Sequence, residues 1–364
     1  MLTREPRVRL RISTVKSFLA CLFSLALMTP SPPATAARAA ASDEHEEVRG
    51  MTISCQTWGW EWGTDEFALE LEELRDIGVN WVAIHPYARI HRDGHLSWRR
   101  LGNGESGEPP EHIARPIREA HARGLSILIK PHLAYWGSPF AWRGDIAFED
   151  PASSERFWSD YKRWIAEIAE AGAEADAFAV GTELDRTVGD EGHWREVIAE
   201  VRRRTDAQLT YAANWDTYAA VGFWDALDAV GIQAYFPLSN SAAPRRGDLL
   251  DGWALALEPL RSLHRSTGKP VVFTELGYNL STRAAAQPWD HEVAANTEQE
   301  AAERLQALCL RTGLEVLRRE RAWLRGAFLW KWFVGPTRGE NFLVDTPQLR
   351  GTLSELWLRA AEGD

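Results

Sequence analysis

Short apolar runs alternate with amphipathic stretches along most of the chain. Several runs are nearly continuous in Val, Ile, Ala and Phe, a composition typical of strands that are buried on both faces. We predict strands at eight of these runs, residues 52–58, 81–90, 125–134, 177–184, 208–215, 229–238, 270–278 and 326–333. Helical patterns fill the gaps between them. This alternation within residues 51–364 predicts an α/β fold consisting of a single (β/α)8 TIM barrel.

Capping residues and glycines mark the ends of the predicted helices. Thr64 is placed to cap a helix that buries Phe67, and Gly78 is placed to end that helix. Thr297 and Glu300 have the spacing of a capping box before a later helix. These signals support the helix assignments without depending on the strands.

A doubly wound α/β sheet is the alternative arrangement of the same elements. It would need a glycine-rich phosphate loop after its first strand. The first strand is followed instead by Trp58-Gly59-Trp60-Glu61-Trp62, which contains no such loop. The barrel is therefore preferred. In that fold, functional residues lie at the C-terminal ends of the strands, so we expect the site there.

The first fifty residues have a different character from the rest. A basic segment with four arginines and Lys16 precedes the apolar run 17–28, which is too short to span a bilayer as a helix. Prolines follow, and then the small residues of Ala34-Thr35-Ala36. This order predicts a signal peptide at residues 1–36, a linker at residues 37–50 and a secreted or periplasmic protein. We see no membrane span beyond it.

Charge and cysteine content exclude some partners and leave others open. The formal net charge is −11, and it becomes more negative once the basic leader is removed. An acidic surface argues against nucleic acid and anionic lipid as partners. Of the cysteines after the leader, Cys55 and Cys309 could pair in an oxidising compartment, although a buried free thiol is the simpler expectation. We expect a monomer.

Tryptophan is unusually frequent, with 18 residues, all at or after Trp58. In an exported acidic protein such an excess suggests platforms on which the flat apolar faces of sugars stack. Several tryptophans are instead expected to pack between barrel helices, namely Trp158, Trp164, Trp194 and Trp253.

Two carboxylates end apolar strands. Glu183 lies at the end of the fourth predicted strand and Glu275 at the end of the seventh, where an isolated charge is costly. Hydrolysis of a glycosidic bond needs one carboxyl group to protonate the leaving oxygen and another to act at the anomeric carbon. Either glutamate alone could be a structural ion pair, for instance with Arg89 or Lys331. The two together, among aromatic strand ends, favour a glycoside hydrolase with Glu183 and Glu275 as its catalytic pair.

The sequence resembles the clan A retaining glycoside hydrolases and, within that clan, glycoside hydrolase family 113, the β-mannanase family. The resemblance rests on Ile129-Lys130-Pro131-His132, Gly181-Thr182-Glu183-Leu184, Asn214-Trp215-Asp216, residues 231–238, residues 273–278, Pro288-Trp289 and Leu329-Trp330-Lys331-Trp332. It implies that Glu183 is the acid/base and Glu275 the nucleophile. It also implies that Tyr235 hydrogen-bonds the nucleophile and that Trp330 forms the floor beneath the reacting sugar.

One position departs from the wider clan. Many members have Asn directly before the acid/base, where it touches the sugar 2-hydroxyl, whereas this chain has Thr182. The shorter hydroxyl leaves the preference between glucose and mannose open. The full set of expected substrate contacts comprises Trp58, His85, Lys130, His132, Trp142, Thr182, Asn214, Trp215, Tyr235, Trp330 and Lys331.

These observations predict an endo-acting hydrolase of β-1,4-mannan or a related polysaccharide, working by double displacement. We expect neither an organic cofactor nor a catalytic metal, since His85 and His132 lack metal-ligand spacing. Lys130 could bind a substrate hydroxyl or neutralise buried carboxylates. The alternatives are the same machinery acting on another β-glycan, a non-catalytic glycan-binding barrel, and a barrel acting on a phosphorylated substrate. The last would want a glycine-rich loop after the seventh or eighth strand, and none is convincing there.

Overall fold

Eight parallel strands close into a barrel in the computed structural model of the protein. The structure describes residues 47–98, 110–291, 298–337, 339 and 341–361. The predicted signal peptide, most of the predicted linker and Thr297 of the predicted capping box lie outside these residues. The closed barrel confirms the predicted fold.

Eleven strands are described. In chain order they are β1 Val48–Ser54, β2 Trp81–Ile84, β3 Tyr87–Ile90, β4 Leu96–Ser97, β5 Ser126–Ile129, β6 His132–Ala134, β7 Ala177–Thr182, β8 Gln208–Asn214, β9 Val230–Gln233, β10 Val271–Leu276 and β11 Leu324–Phe333. The barrel runs β1–β2–β5–β7–β8–β9–β10–β11 and closes on β1. Glu183 therefore follows the fourth barrel strand, β7, and Glu275 lies at the end of the seventh, β10, as predicted.

Seven α-helices are described. They are α1 Asp65–Asp76, α2 Glu111–Ala122, α3 Pro151–Ala171, α4 Glu191–Arg202, α5 Arg246–Thr267, α6 Gln299–Arg319 and α7 Pro347–Ala361. Each barrel strand except β8 is followed by one of them. The connection after β8 contains only the 3₁₀ turns Tyr218–Ala220 and Trp224–Ala226, so the prediction of a helix in every gap is wrong at this connection.

Prolines divide two of the predicted strands. The runs 81–90 and 125–134 each break at a proline, Pro86 and Pro131, because proline cannot donate a hydrogen bond to a central ladder. The residues beyond each proline form β3 and β6, which pair with each other in parallel in a second, three-stranded sheet, β4–β3–β6. This small sheet extends the barrel mouth beside the second and third barrel strands.

The first barrel strand begins earlier than predicted. Val48 already pairs with Gly326 of β11, and Gly50 pairs with Phe328. The last three residues of the predicted linker, 48–50, therefore belong to the barrel. Gly50 is required at its position, because a Cβ there would lie 2.6 Å from the Phe328 ring.

The predicted boundaries of α1 and the predicted buried tryptophans are confirmed, whereas α6 begins at Gln299 with Glu298 as its N-cap, one residue later than the predicted capping box implies. The Thr64 hydroxyl accepts from the Phe67 amide at the start of α1, and Gly78 follows the helix at φ 94°. Trp158, Trp164, Trp194 and Trp253 are all buried between helices and strands. Inside the barrel, Phe328 packs against Ala83, Leu128 and Ala179, so one large ring fills the space left by small neighbours.

Two further features bear on the sequence predictions. Cys55 and Cys309 are both free thiols, so the possible disulfide between them is not formed. Within the described residues, no helix has the length and apolar character needed to cross a bilayer.

Candidate active site

Glu275 is held by two donors from other strands. The Lys130 ammonium donates to Glu275 Oε1, and the Tyr235 hydroxyl donates to Oε2 at 2.5 Å. Lys130 also donates to the Thr274 carbonyl at 3.1 Å. These two donors hold both carboxylate oxygens in place. The contact expected between Tyr235 and Glu275 is therefore present.

Lys130 is completely buried, which makes its pairing essential. Burial lowers the pKa of Lys130, while the Glu275 carboxylate acts in the opposite direction. A buried charge without a partner would be strongly unfavourable, so each of Lys130 and Glu275 offsets the cost of burying the other in the barrel mouth. Of the two roles considered for Lys130, the structure shows neutralisation of a buried carboxylate.

Glu183 lies in a different environment. The Arg143 guanidinium donates to Glu183 Oε2 at 3.2 Å, and the same nitrogen donates to His132 Nδ1 at 3.1 Å. The pKa of Glu183 is raised to about 7, chiefly by burial and also by the charge of Glu275, while Arg143 opposes the rise. The ion pairs suggested from the sequence, with Arg89 or Lys331, are wrong. Arg143 and Lys130 take those places.

The backbone of Glu183 is also unusual. Its φ is 53°, in the left-handed region that non-glycine residues rarely adopt. Its amide donates to the Ala212 carbonyl at 2.9 Å, and the next amide, of Leu184, donates to the Tyr211 hydroxyl at 2.9 Å. Such a conformation costs on the order of 1–3 kcal/mol and is retained where the neighbouring structure enforces it, commonly at functional sites.

Arg143 is the important residue that the sequence analysis missed. It begins the 3₁₀ turn Arg143–Asp145 in the loop after β6, where no periodic pattern marks it. The neighbouring Trp142 supplied the only signal. A Cβ on Gly144 would lie 2.1 Å from the Trp142 indole, so the turn that presents Arg143 to Glu183 requires glycine at that position.

A stack of rings lines the site beside Glu275. His85 and His132 stack with centroids 4.9 Å apart, and Trp330 lies 5.4 Å from His85 and 6.1 Å from His132. Burial, together with the charges of Lys130 and Arg143, lowers the pKa of both histidines well below the usual value. Both rings are therefore neutral, and each can offer one donor and one acceptor.

These histidines have unused hydrogen-bonding capacity in the described part of the chain. Both nitrogens of His85 and Nε2 of His132 are buried without a hydrogen-bond partner there. His132 Nε2 is 3.7 Å from Glu275 Oε1, which is too long for a hydrogen bond. Because His132 Nδ1 accepts from Arg143, its proton is on Nε2. Buried polar atoms of this kind are available to hydroxyl groups of a ligand.

The other predicted contacts surround this centre. Trp58, exposed by 42%, meets Tyr87 edge-on at 6.2 Å at the end of the first barrel strand. On the opposite side of the barrel, after the fifth barrel strand, Trp215 stacks on Trp289 with ring centroids 5.3 Å apart. Asn214 precedes Trp215 and accepts from its amide at 3.0 Å.

The remaining predicted contact residues differ in burial and in the partners that their side chains already have. The Lys331 ammonium lies 5.5 Å from the Trp330 ring, and burial lowers the Lys331 pKa. The Trp142 side chain is half-buried in the loop after β6. Thr182 is buried, and its hydroxyl donates to the Pro131 carbonyl at 3.0 Å, so its proton is already used within the protein. Among the described residues, no group of three or more His, Cys, Asp or Glu side chains is arranged to hold a metal ion.

The geometry thus places two glutamates in contrasting environments at one mouth, and the comparison with known families agrees. The family model described as Glycoside Hydrolase Family 113 matches residues 51–340. The chain belongs to glycoside hydrolase family 113. It is therefore a glycoside hydrolase, and the resemblance inferred from its strand-end motifs is confirmed. No curated protein matches the chain.

Solved structures place this family 113 enzyme among similar barrels. The family 113 β-mannanase AaManA from Alicyclobacillus acidocaldarius, in complex with ManMIm, is 25% identical with a TM-score of 0.72, over 87% of this chain and 98% of that one. A second family 113 β-1,4-mannanase is 20% identical with a TM-score of 0.70, over 86% and 99%. A family 5 mannosidase from Rhizomucor miehei, 10% identical with a TM-score of 0.59 over 87% and 94%, shares the fold alone.

Proposed function

We propose that this family 113 enzyme is a retaining hydrolase of β-1,4-linked mannan, with Glu183 as the acid/base and Glu275 as the nucleophile. The observation that carries the proposal is the contrast between the two carboxyl groups. Glu275 accepts from the Lys130 ammonium and the Tyr235 hydroxyl, whereas the pKa of Glu183 is raised to about 7. A nucleophile must be ionised and an acid must carry a proton at the same pH, and this contrast supplies both.

The reaction has two steps. In the first, a Glu275 oxygen attacks the anomeric carbon, the bond to the glycosidic oxygen breaks, and Glu183 gives its proton to that oxygen. In the second, Glu183 takes a proton from water, the resulting hydroxide attacks the anomeric carbon, and the bond to Glu275 breaks. Lys130 and Tyr235 compensate the charge that returns to Glu275 when it leaves. Anomeric configuration is retained because the carbon is inverted twice.

Mannan is proposed as the substrate because two family 113 structures similar to this chain are those of β-mannanases. The neutral rings of His85 and His132 provide hydrogen bonds for the hydroxyls of the reacting sugar, and Trp330 provides its floor. Another β-glycan is the second candidate. It is favoured by Thr182, whose hydroxyl is engaged with Pro131 and so leaves recognition of the 2-hydroxyl to other residues. Trp58, Trp142, Asn214, Trp215 and Lys331 complete the proposed substrate contacts.

We also propose that the enzyme is exported, on the basis of the signal-peptide pattern in residues 1–36. Expression of the full chain and N-terminal sequencing of the protein recovered outside the cytoplasm tests this proposal. A mature terminus shortly after Ala36 supports export. Full-length protein retained in the cytoplasm contradicts it.

The substrate proposal is tested by release of reducing sugar from β-mannan, glucomannan, β-glucan and galactan. Glu183→Ala and Glu275→Ala are assayed beside the wild type. Glu174→Ala is the matched control, because Glu174 is exposed and precedes β7 at the end opposite Glu183. We expect activity on mannans that both site variants lose and the control keeps. Activity on a different glycan, lost in the same variants, corrects the substrate. Binding without hydrolysis of any glycan contradicts the catalytic assignments.

Retention is tested separately. Proton NMR of the products during the first minutes of hydrolysis shows which anomer forms before mutarotation. The β anomer is expected from a β-linked substrate. Initial release of the α anomer would mean inversion and would remove the nucleophile role from Glu275.

A further inference from the structure

A continuous series of ring contacts runs from the catalytic centre to the rim of the barrel. It begins with Trp330 and the stacked pair of His85 and His132. His85 lies 5.2 Å from the Tyr87 ring. Tyr87 in turn contacts two rim tryptophans, Trp58 at 6.2 Å and Trp136 at 5.5 Å. Aromatic rings therefore line the path outward from Glu275 without interruption.

The two tryptophans at the end of this path, which we call the rim pair, are exposed. Trp58 is 42% exposed and Trp136 is 51% exposed. Several other tryptophans of this chain are buried between helices, so the rim pair is not part of the core. Adjacent exposed aromatic side chains on a folded protein commonly mark a binding surface.

The rim pair is also held in place. Arg89 lies 5.5 Å from the Trp58 ring centroid and donates to the Trp136 carbonyl at 2.8 Å, so one side chain contacts both members. On the Trp58 side, the Glu61 carboxylate accepts from the amides of Gln56 and Thr57 and orders the loop that carries the ring. A surface that is already ordered loses little conformational entropy when a ligand binds.

A cavity of about 300 Å³ adjoins Trp58, one member of the rim pair. Its lining includes Trp58, Trp60, Tyr87 and Arg89. Its walls are mainly aromatic, with a cation at one side, which suits a ring that has apolar faces and a polar edge. Neither carboxylate lines the cavity, but Tyr87, which does, contacts His85 in the ring stack beside Glu275.

The side of the cleaved bond on which the rim pair lies follows from the carboxylate to which its ring contacts lead. Glu183, the proposed acid, must stand beside the leaving group. The ring contacts lead from the rim pair through Tyr87 to His85 and His132. His132 Nε2 lies 3.7 Å from Glu275 Oε1, so this path arrives at the proposed nucleophile. Sugars on the rim pair would therefore belong to the part of the chain that becomes attached to Glu275.

We propose that Trp58 and Trp136 form a remote subsite that binds sugar units on the non-reducing side of the cleaved bond, several positions from it. This inference rests on the proposed function. The flat faces of successive sugars stack on the two rings, and Arg89 binds their hydroxyls. The subsite makes the enzyme prefer long chains, because only a long chain reaches from Glu275 to the rim.

The test is the dependence of kcat/KM on chain length. Manno-oligosaccharides of two to six units are assayed with the wild type, Trp58→Ala, Trp136→Ala and the double variant. Leu255→Ala on α5, which removes a side chain that is 79% exposed, is the matched control. We expect the ratio of kcat/KM on the longest to that on the shortest cleaved substrate to fall about three- to tenfold per ring, mainly through KM. An unchanged ratio overturns the proposal.

The position of cleavage in a labelled substrate tests on which side of the cleaved bond the remote subsite lies. With hexasaccharide labelled at the reducing end, loss of the rim pair should move cleavage toward the non-reducing end, because binding modes that fill the remote subsite are lost. A shift toward the reducing end contradicts the assigned side.

Failure of the proposed function can be separated from failure of this inference. If the wild type cleaves a different β-glycan, the oligosaccharides of that glycan replace the mannan series. If it cleaves none, calorimetric titration with mannohexaose compares the wild type and the double variant. Weaker binding by the double variant then supports the subsite, and equal or absent binding in both proteins overturns it.

Discussion

Arg143→Met should shift the alkaline limit of activity upward. The guanidinium stands 3.2 Å from Glu183 and lowers the pKa of that carboxyl group, which burial and Glu275 otherwise raise. An acid catalyst works while protonated, so activity is present below the Glu183 pKa of about 7 and is lost as the pH rises through it. Removing Arg143 raises that pKa, and the activity should persist to higher pH.

The size of the shift can be bounded from the geometry. A pair of charges 3.2 Å apart interacts by roughly 5 kcal/mol at an effective dielectric constant of about 20. Solvation and structural relaxation offset much of this interaction energy. A neighbouring opposite charge typically moves a carboxyl pKa by about 1–3 units. The other charged groups around Glu183, namely Glu275, Lys130 and Asp185, are retained in the variant. We therefore expect the alkaline midpoint of kcat/KM to rise by at least about one pH unit.

The assay must use a substrate with a natural sugar leaving group, since an activated aryl leaving group does not need a proton. kcat/KM is measured from acid to alkaline pH for the wild type, Arg143→Met and Arg143→Lys. Arg186→Met is the control, because it removes an exposed charge three residues after Glu183. Arg143→Lys should restore part of the wild-type profile. An alkaline midpoint that is unchanged or lower in Arg143→Met would refute the role assigned to Arg143.

Three further predictions follow from the same site. Gly144→Ala forces the Trp142 indole to move and should reproduce the pH shift of Arg143→Met without changing any charge; a wild-type profile would contradict this. Tyr235→Phe removes a donor to a charged group, worth about 1.5–3 kcal/mol, and should lower kcat/KM about 10- to 100-fold; a loss below threefold would contradict its role. Glu183→Gln imitates the protonated acid. The Glu183 pKa of about 7 in the folded state lies above the usual 4.5, so the wild type loses stability as the pH rises from about 4.5 to 7. Chemical denaturation should therefore show equal free energies of unfolding for the two proteins near pH 4 and a more stable variant above pH 7, by up to about 3 kcal/mol. A difference that does not change with pH would contradict this.

The two strand-end glutamates and the barrel that carries them were predictable because their signals are local. An apolar strand followed directly by a glutamate is visible in the chain itself, and the barrel places every strand end at one mouth. The same argument selected Lys130, His85 and His132, which lie in the middle or the C-terminal half of predicted strands. Tyr235 was predicted from the family resemblance, and its contact with Glu275 agrees with that prediction.

The residues that the sequence analysis missed or misassigned make contacts between segments far apart in the chain. Arg143 belongs to a 3₁₀ turn without periodicity, and its contact with Glu183 spans 40 residues of chain. The partners first suggested for the glutamates, Arg89 and Lys331, were chosen by residue type alone. Arg89 instead joins Trp58 to Trp136, and the Lys331 ammonium lies against Trp330.

By itself, then, the sequence determined the eight-strand alternation, the two glutamates at strand ends and the family. Periodicity, turn residues and strand-end chemistry are properties of neighbouring residues, so they can be inferred along the chain. The tertiary structure alone decided the second sheet after Pro86 and Pro131, the pairing of Glu183 with Arg143, and the ring path to the rim. Each of these depends on distances between segments far apart in sequence, and such distances are set only when the barrel closes.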